Sequence, residues 1–203
     1  MRIVTANQLQ DWLDQGVVLE KDSHGPKVVR LVSGDLLKIF RSRRNPLLER
    51  LLPAARRFHN NSERLNDLGI ATPKVHDTFW IARNSISACV YAPLQGTPLD
   101  SLFSSARGEF SALVPELATY ILLMHRRGIY FRSLHLGNIL RTPDASFGLI
   151  DFLDIRFKGR PLGRMLVRRN FEHLRRYLQR RNVENFPLDE LLLAYAEASK
   201  ASS

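Results

Sequence analysis

One cysteine, Cys89, is all that the 203 residues contain. That excludes an intrachain disulfide framework and suits a reducing compartment. Long apolar runs are missing as well: nothing approaches the roughly 18 consecutive apolar residues of a membrane-spanning helix. Met1-Arg2-Ile3-Val4-Thr5 leads into an amphipathic segment rather than an apolar one, so no secretory leader is expected. Acidic residues are scarce beside basic ones, 20 against 30, for a net charge of +10. The excess is concentrated: between Arg156 and Arg181 stand ten arginines and lysines and a single acid, Glu172. Such a block points to an anionic partner, whether membrane surface, phosphorylated lipid or nucleic acid, or else serves as a solubilising helix face. The C-terminal region lacks the aromatic interleaving that base stacking uses, which argues against nucleic acid.

What is present suffices for a core. Hydrophobic residues make up 44% of the chain, enough for one domain or two joined lobes. Val17-Val18-Leu19, Lys27 to Leu31 and Leu36 to Phe40 are β-rich runs separated by His24-Gly25-Pro26 and Ser33-Gly34-Asp35, the punctuation of an antiparallel meander. An Arg-rich stretch from Arg41 to Leu68 follows, broken by Pro46 and Pro53; its later part, with Phe58, Ser62 and Leu65 on one face, predicts a helix ending near Gly69. Two more strands are expected around Val75–Phe79 and Ile86–Tyr91. Pro93 to Pro98 then breaks the pattern and reads as a hinge, so the expected division is 1–92 and 93–203, strands first and mostly helices after. Phe110 to Arg127, with Leu113, Leu117, Ile121 and Met124 in phase and Gly128 as cap, predicts a core helix. Ile139–Thr142 and Phe147–Ile150 predict a hairpin that sets Asn138 before one strand and Asp151 after the other, toward a cleft between the two lobes. Val167, Phe171, Leu174 and Leu178 mark a further helix whose other stripe is Arg169, His173, Arg176 and Arg180; a last helix is expected from about Pro187 to Ala198.

The chemistry concentrates in Tyr130-Phe131-Arg132-Ser133-Leu134-His135-Leu136-Gly137-Asn138 and Leu149-Ile150-Asp151-Phe152. These resemble the protein-kinase segments H-R-D-L-x-x-x-N and D-F-G, with Arg132, Leu134, Asn138, Asp151 and Phe152 in register and Ser133 where the catalytic aspartate is expected. Phosphoryl transfer requires a positioned triphosphate, charge neutralisation by Mg²⁺ and an oriented acceptor hydroxyl. Asn138 and Asp151 offer the amide and carboxylate oxygens that Mg²⁺ prefers, and Lys38 is placed as the lysine that grips the α- and β-phosphates of ATP. A strand lysine is otherwise a surface residue and an Asn before a strand a turn former; the order of lysine, hinge, core helix, loop, Asn, hairpin and Asp is what joins them. The implied fold class is α+β, a protein-kinase-like two-lobed fold with an antiparallel-sheet N-lobe and a shortened helical C-lobe.

More narrowly, Arg127 to Leu140 resembles the lipopolysaccharide kinase (Kdo/WaaP) family, whose loop often reads H-G-D-L-H-x-x-N, with His135 at its second histidine. The small toluene-tolerance or InaA-like members look most similar, over roughly Lys27 to Ile155. The resemblance implies a cytoplasmic ATP- and Mg²⁺-dependent kinase, peripheral at the inner face of the cytoplasmic membrane, phosphorylating a heptose or Kdo sugar of the inner core in lipopolysaccharide biosynthesis. It implies that the backbones of Ala92 and Leu94 meet adenine, a role Pro93 cannot share for want of an N–H. The Arg156–Arg181 block would then face the anionic lipid-linked sugar or the membrane surface.

Three departures stand against the pattern. Asp22-Ser23-His24-Gly25-Pro26 has one glycine where a glycine-rich nucleotide-covering turn belongs. Glu63 is the candidate partner for Lys38, or a solvated helix residue, although counting back from Ile70-Ala71-Thr72-Pro73 puts the family position nearer Phe58. Ser133 is neither a base near neutral pH nor a charge. His135 can accept a proton near pH 7 or brace the loop; Asp154 can substitute or cap a turn; Arg132 braces the loop or meets a phosphate. An inactive nucleotide-binding pseudokinase or partner-binding module is the alternative, and a compact kinase resembling those of the tRNA-modification machinery a third.

Overall fold

Residues 1–41, 51–81 and 86–201 are described by the computed structural model, and they form an α+β protein of two structural units. One unit comprises Met1–Asp67 and Thr72–Leu94, the other Leu68–Ala71 and Gln95–Ser203. Residues 42–50, which include Pro46 of the Arg-rich stretch, lie outside the described residues.

The first unit is built on a six-stranded sheet: β1 (Arg2–Val4), β2 (Val17–Asp22), β3 (Gly25–Arg30), β4 (Leu36–Arg41), β5 (Lys74–Ile81) and β6 (Ile86–Ala92), in the order β1-β5-β6-β4-β3-β2. All pairings are antiparallel except β1 with β5. Alternation along β4 divides its side chains between faces. Leu37 and Ile39 join Val29, Phe79, Ile81 and Ala88 in a dry layer, and helix α1 (Ala6–Gln15) covers it with Leu9, Trp12 and Leu13. Trp12 meets Phe79 at 4.9 Å between ring centroids. Thr5 caps α1: its hydroxyl accepts from Gln8 N, and Gln8 Oε1 accepts from Thr5 N. Lys38 and Phe40 turn to the opposite face, where helix α2 (Ala54–Asp67) packs through Ala55, Phe58, Ser62 and Leu65. Each of these large apolar side chains contributes roughly 1.5–3 kcal/mol on leaving water. Neither β1 nor α1 was anticipated as a defined element; three residues of β1 carry too little pattern, and its pairing partner lies more than seventy residues away.

The second unit is organised on α4 (Arg107–Arg126), which buries Val114, Leu117, Ile121 and Met124. Short α3 (Leu99–Ser105) precedes it. Gly128 ends the helix at φ +72, and a Cβ there would sit 2.5 Å from the Arg160 carbonyl oxygen, so both conformation and space require glycine. The chain continues as β8 (Ile129–Phe131), a single 3₁₀ turn (Leu136–Asn138), β9 (Ile139–Arg141) and β10 (Phe147–Leu149). β9 pairs with β10 as the expected hairpin and with β7 (Thr97–Pro98) on its other side, while β8 pairs with β11 (Ile155–Phe157). α5 (Arg164–Arg180) and α6 (Leu188–Ala201) close the unit; α5 buries Phe171, Leu174, Tyr177 and Leu178. This half is mostly helical, as its sequence implies, and the strands of two or three residues within it are defined by distant partners rather than by local periodicity. No helix among the described residues is long and apolar enough to cross a membrane.

Candidate active site

The loop from Arg132 to Asn138 is fixed at both ends by backbone. Leu134 N donates to the Phe131 carbonyl (3.2 Å) and Asn138 N to that of His135 (3.0 Å). Ile150 N donates to the Asn138 carbonyl (3.0 Å), which places Asn138 against the residue that precedes Asp151. Asn138 is buried, and its Nδ2 donates to the Ser133 carbonyl at 3.1 Å. Its amide nitrogen is thus committed to the loop, and the amide oxygen is the end left to a cation. Asp151 is exposed and holds a left-handed φ of +50, a conformation to which Asp and Asn are better suited than most residues.

Ser133 has a partner that its motif position does not announce. Its Oγ donates to Asp154 Oδ2 at 2.7 Å. The second carboxylate oxygen, Asp154 Oδ1, is buried and has no hydrogen-bond partner among the described residues. A carboxylate therefore sits at the serine, supplied from 21 residues along the chain. Buried acceptors are normally satisfied, and an orphan beside a candidate reacting group marks unspent bonding capacity.

His135 lies flat on Tyr177, with ring centroids 4.3 Å apart and planes within 7°. Burial holds its pKa below the usual histidine range; the Asp100 and Asp151 carboxylates oppose that, and Arg181 reinforces it. The ring is accordingly neutral at pH 7, and its Nδ1 is buried without a partner among the described residues. Arg132 is exposed.

Behind the loop runs a polar chain that sequence reasoning missed. Asn170, fully buried, donates through Nδ2 to the Phe131 carbonyl, so its Oδ1 accepts from His125 Nε2 (3.0 Å). His125 Nδ1 is then the acceptor for Tyr195 OH (2.9 Å). Burial lowers the His125 pKa to about 4 and keeps it neutral. A second tie joins Tyr130 OH to His173 Nε2 (3.0 Å). The available signal was Asn170 on the apolar stripe of an amphipathic helix, where an amide needs buried partners.

The remaining expected site residues belong to the first unit. Lys38 is buried on β4, opposite Cys89 in the ladder, with Nζ 5.2 Å from the Phe58 ring centroid and 5.9 Å from that of Phe40. Glu63 is not brought to it: that carboxylate lies off the packed face of α2, largely exposed, and pairs with His59 one turn back at 3.5 Å. The α2 side chain that meets Lys38 is Phe58, in keeping with the register count. Ala92 ends β6 opposite Lys74, and Leu94 closes the unit. In the turn between β2 and β3, His24 N donates to Asp22 Oδ1 at 2.7 Å, so that N–H is spent within the turn, and the bond holds the Asp22 carboxyl below its usual range.

Among the described residues no three His, Cys, Asp or Glu side chains converge as a metal centre. The two hard oxygen donors, Asn138 Oδ1 and the Asp151 carboxylate, fit the manner in which Mg²⁺ binds, with few protein ligands and the balance from water and phosphate. No protein-family model matches the chain, and no curated protein matches it.

Proposed function

We propose that the chain is an ATP- and Mg²⁺-dependent phosphotransferase with a protein-kinase-like two-lobed fold, acting at the inner face of the cytoplasmic membrane on a sugar of the lipopolysaccharide core or another envelope precursor. One observation carries this reading: the loop that holds Asn138 next to the Asp151 segment also holds a hydroxyl bonded to a carboxylate, Ser133 to Asp154. That supports the return of the missing aspartate's function from a different position.

In this reading Asn138 and Asp151 hold the metal, Lys38 the phosphates, and the Ala92 and Leu94 backbones the adenine. Bound Mg·ATP supplies the transferable phosphoryl group and neutralises its charge. The protein's own part is proton handling and positioning. An acceptor hydroxyl donating to Ser133 Oγ passes its proton there as the serine proton moves to Asp154, so Ser133 ends as it began and Asp154 gains one proton. A base of this kind contributes about 10²–10⁴-fold. His135, neutral and stacked on Tyr177, braces the loop, and Arg132 at its rim is free to meet a phosphate.

A second reading is favoured by the turn at Asp22, where an acid already occupies a backbone N–H that a nucleotide-covering loop would offer to phosphate. Under it the chain is a nucleotide-binding pseudokinase. Core-oligosaccharide mass spectrometry in a deletion strain separates the two. A missing phosphate supports transfer. Intact core phosphorylation, with Mg²⁺-dependent ATP binding by the purified protein that Asp151→Ala abolishes, supports the pseudokinase. Absence of such binding overturns both.

A further inference from the structure

Helices α4, α5 and α6 enclose a cavity of about 440 Å³ that the proposed phosphotransfer does not use. Each helix gives it one stripe: Leu122 and His125 from α4, Val167 and Phe171 from α5, Leu192 and Tyr195 from α6. Its size falls among small-molecule sites, which run from about 300 to about 1,000 Å³.

The two ends of the cavity differ in chemistry. The inner end is a group of rings: Phe171 stands edge-on to Tyr195 at 5.0 Å and to His125 at 5.8 Å between centroids. Tyr195 and Asn170 already take both ring nitrogens of His125. With Leu122, Val167 and Leu192 as walls, this end suits an apolar body. The mouth carries Arg164 and Arg168, exposed and one helical turn apart, and among the described residues no carboxylate pairs with either. Two guanidinium groups at the rim of an apolar cavity match one carboxylate on an apolar body.

The cavity also touches the polar chain behind the candidate loop. Tyr195 OH donates to His125, His125 to Asn170, and Asn170 to the Phe131 carbonyl, two residues before Ser133. Tyr195 comes from α6, whose only buried side chain among the described residues is Leu191. So lightly buried a helix belongs to the low-stability end of a structure. A ligand that fills the space beneath it favours the docked state by mass action. Docking of α6 is what brings Tyr195 to His125.

We propose that this cavity is an effector site for a hydrophobic carboxylate, its apolar body against Val167, Phe171 and Leu192 and its carboxylate on Arg164 and Arg168. Occupancy steadies α6 and, through Tyr195, His125 and Asn170, the loop from Phe131 to Asn138. Neither half rests on the phosphotransferase reading, because both are read without nucleotide.

Titration calorimetry on the full chain tests the ligand class with octanoate, 4-phenylbutyrate, 4-phenyl-1-butanol and acetate. Both hydrophobic acids are expected to bind, 4-phenylbutyrate about tenfold tighter than its alcohol, the effect of a hydrogen bond to a charged group, and acetate not at all. Arg168→Ala should weaken the acids about tenfold and leave the alcohol as it was. Arg180→Ala, the same charge change elsewhere on α5, should alter neither. Hydrogen exchange of the 131–138 amides should slow about tenfold at a 4-phenylbutyrate concentration of about ten times Kd. The site is overturned if neither acid binds, if the alcohol or acetate binds as tightly as the acids, or if Arg168→Ala leaves acid binding unchanged. Unaltered exchange at saturation overturns its effect on the loop. Arg168-dependent binding to phosphatidylglycerol vesicles, without binding of the soluble acids, makes the rim a membrane contact and also overturns the proposal.

Discussion

The two units are held by different kinds of interaction. In the first, a sheet buries Val29, Leu37, Ile39, Phe79 and Ala88 beneath α1, and the ordering contacts are apolar and sheet-registered. In the second, an apolar core also exists, but the candidate site loop is positioned by polar pairs far apart in sequence: Ser133 with Asp154, Tyr130 with His173, His125 with Asn170 and Tyr195. Apolar layers tolerate exchange among residues of similar volume, whereas a buried polar chain is only as good as its weakest satisfied member. Stability and site geometry should therefore respond to different mutations.

The largest contrast is expected at Asp154. If transfer depends on the carboxylate at Ser133, Asp154→Asn lowers the rate of transfer to the sugar acceptor by about 10²–10⁴ while Mg·ATP binding persists. Ser133→Asp, which restores the motif letter, sets two carboxylates against each other and should inactivate rather than repair; combining it with Asp154→Ser should recover activity. Recovery by Ser133→Asp alone would remove Asp154 from the mechanism.

In the first unit the comparable change is Leu37→Ala. Leu37 is fully buried, and its truncation should cost about 2–5 kcal/mol of unfolding free energy in urea. A cost under 1 kcal/mol would mean that the sheet layer is not the stabilising element.

A pH series probes the polar chain. His125 has a folded pKa of about 4 against 6.5 for the free side chain. Folding thus opposes its charging: the stabilisation is complete above pH 6.5 and is lost as pH falls toward 4, by about 3 kcal/mol over that window. His125→Gln should flatten this part of the profile, and an unaltered slope in the variant would place the acid sensitivity elsewhere.

The smallest effect is expected at an exposed terminus. Thr5→Ala removes the α1 cap and should cost about 1 kcal/mol, read as a shift in urea midpoint.

How much of this was legible depended on distance along the chain. β3 to β6 declared themselves through runs of β-branched and aromatic residues between turns, and α4 through apolar residues in helical phase, because each pattern is written within a few neighbouring positions. The β9–β10 hairpin was legible for the same reason, and it brought Asn138 and the Asp151 segment together in expectation as in structure. β7, β8 and β11 were not, since two or three residues become a strand only when a partner from elsewhere arrives. The site divides likewise. Asp154 was visible as a substitute for the missing aspartate, being three residues from Asp151, but its bond to Ser133 was not. Asp100 and Tyr177, 77 residues apart, gave no local sign of meeting. Glu63 shows the converse: helical acids are common, and only its angle on α2 separates an ion-pair partner from a solvated residue paired with His59.

The burial of Cys89 has a practical side. The thiol is sealed in the sheet opposite Lys38 and pushed up to about 12, so neither access nor thiolate is available to an alkylating reagent. The folded chain should stay blank toward maleimide dyes, and a cysteine introduced at an exposed position, such as Arg164→Cys, becomes the only labelled atom. The native thiol then serves as an internal clock, since any dye it takes up counts molecules that have opened the sheet.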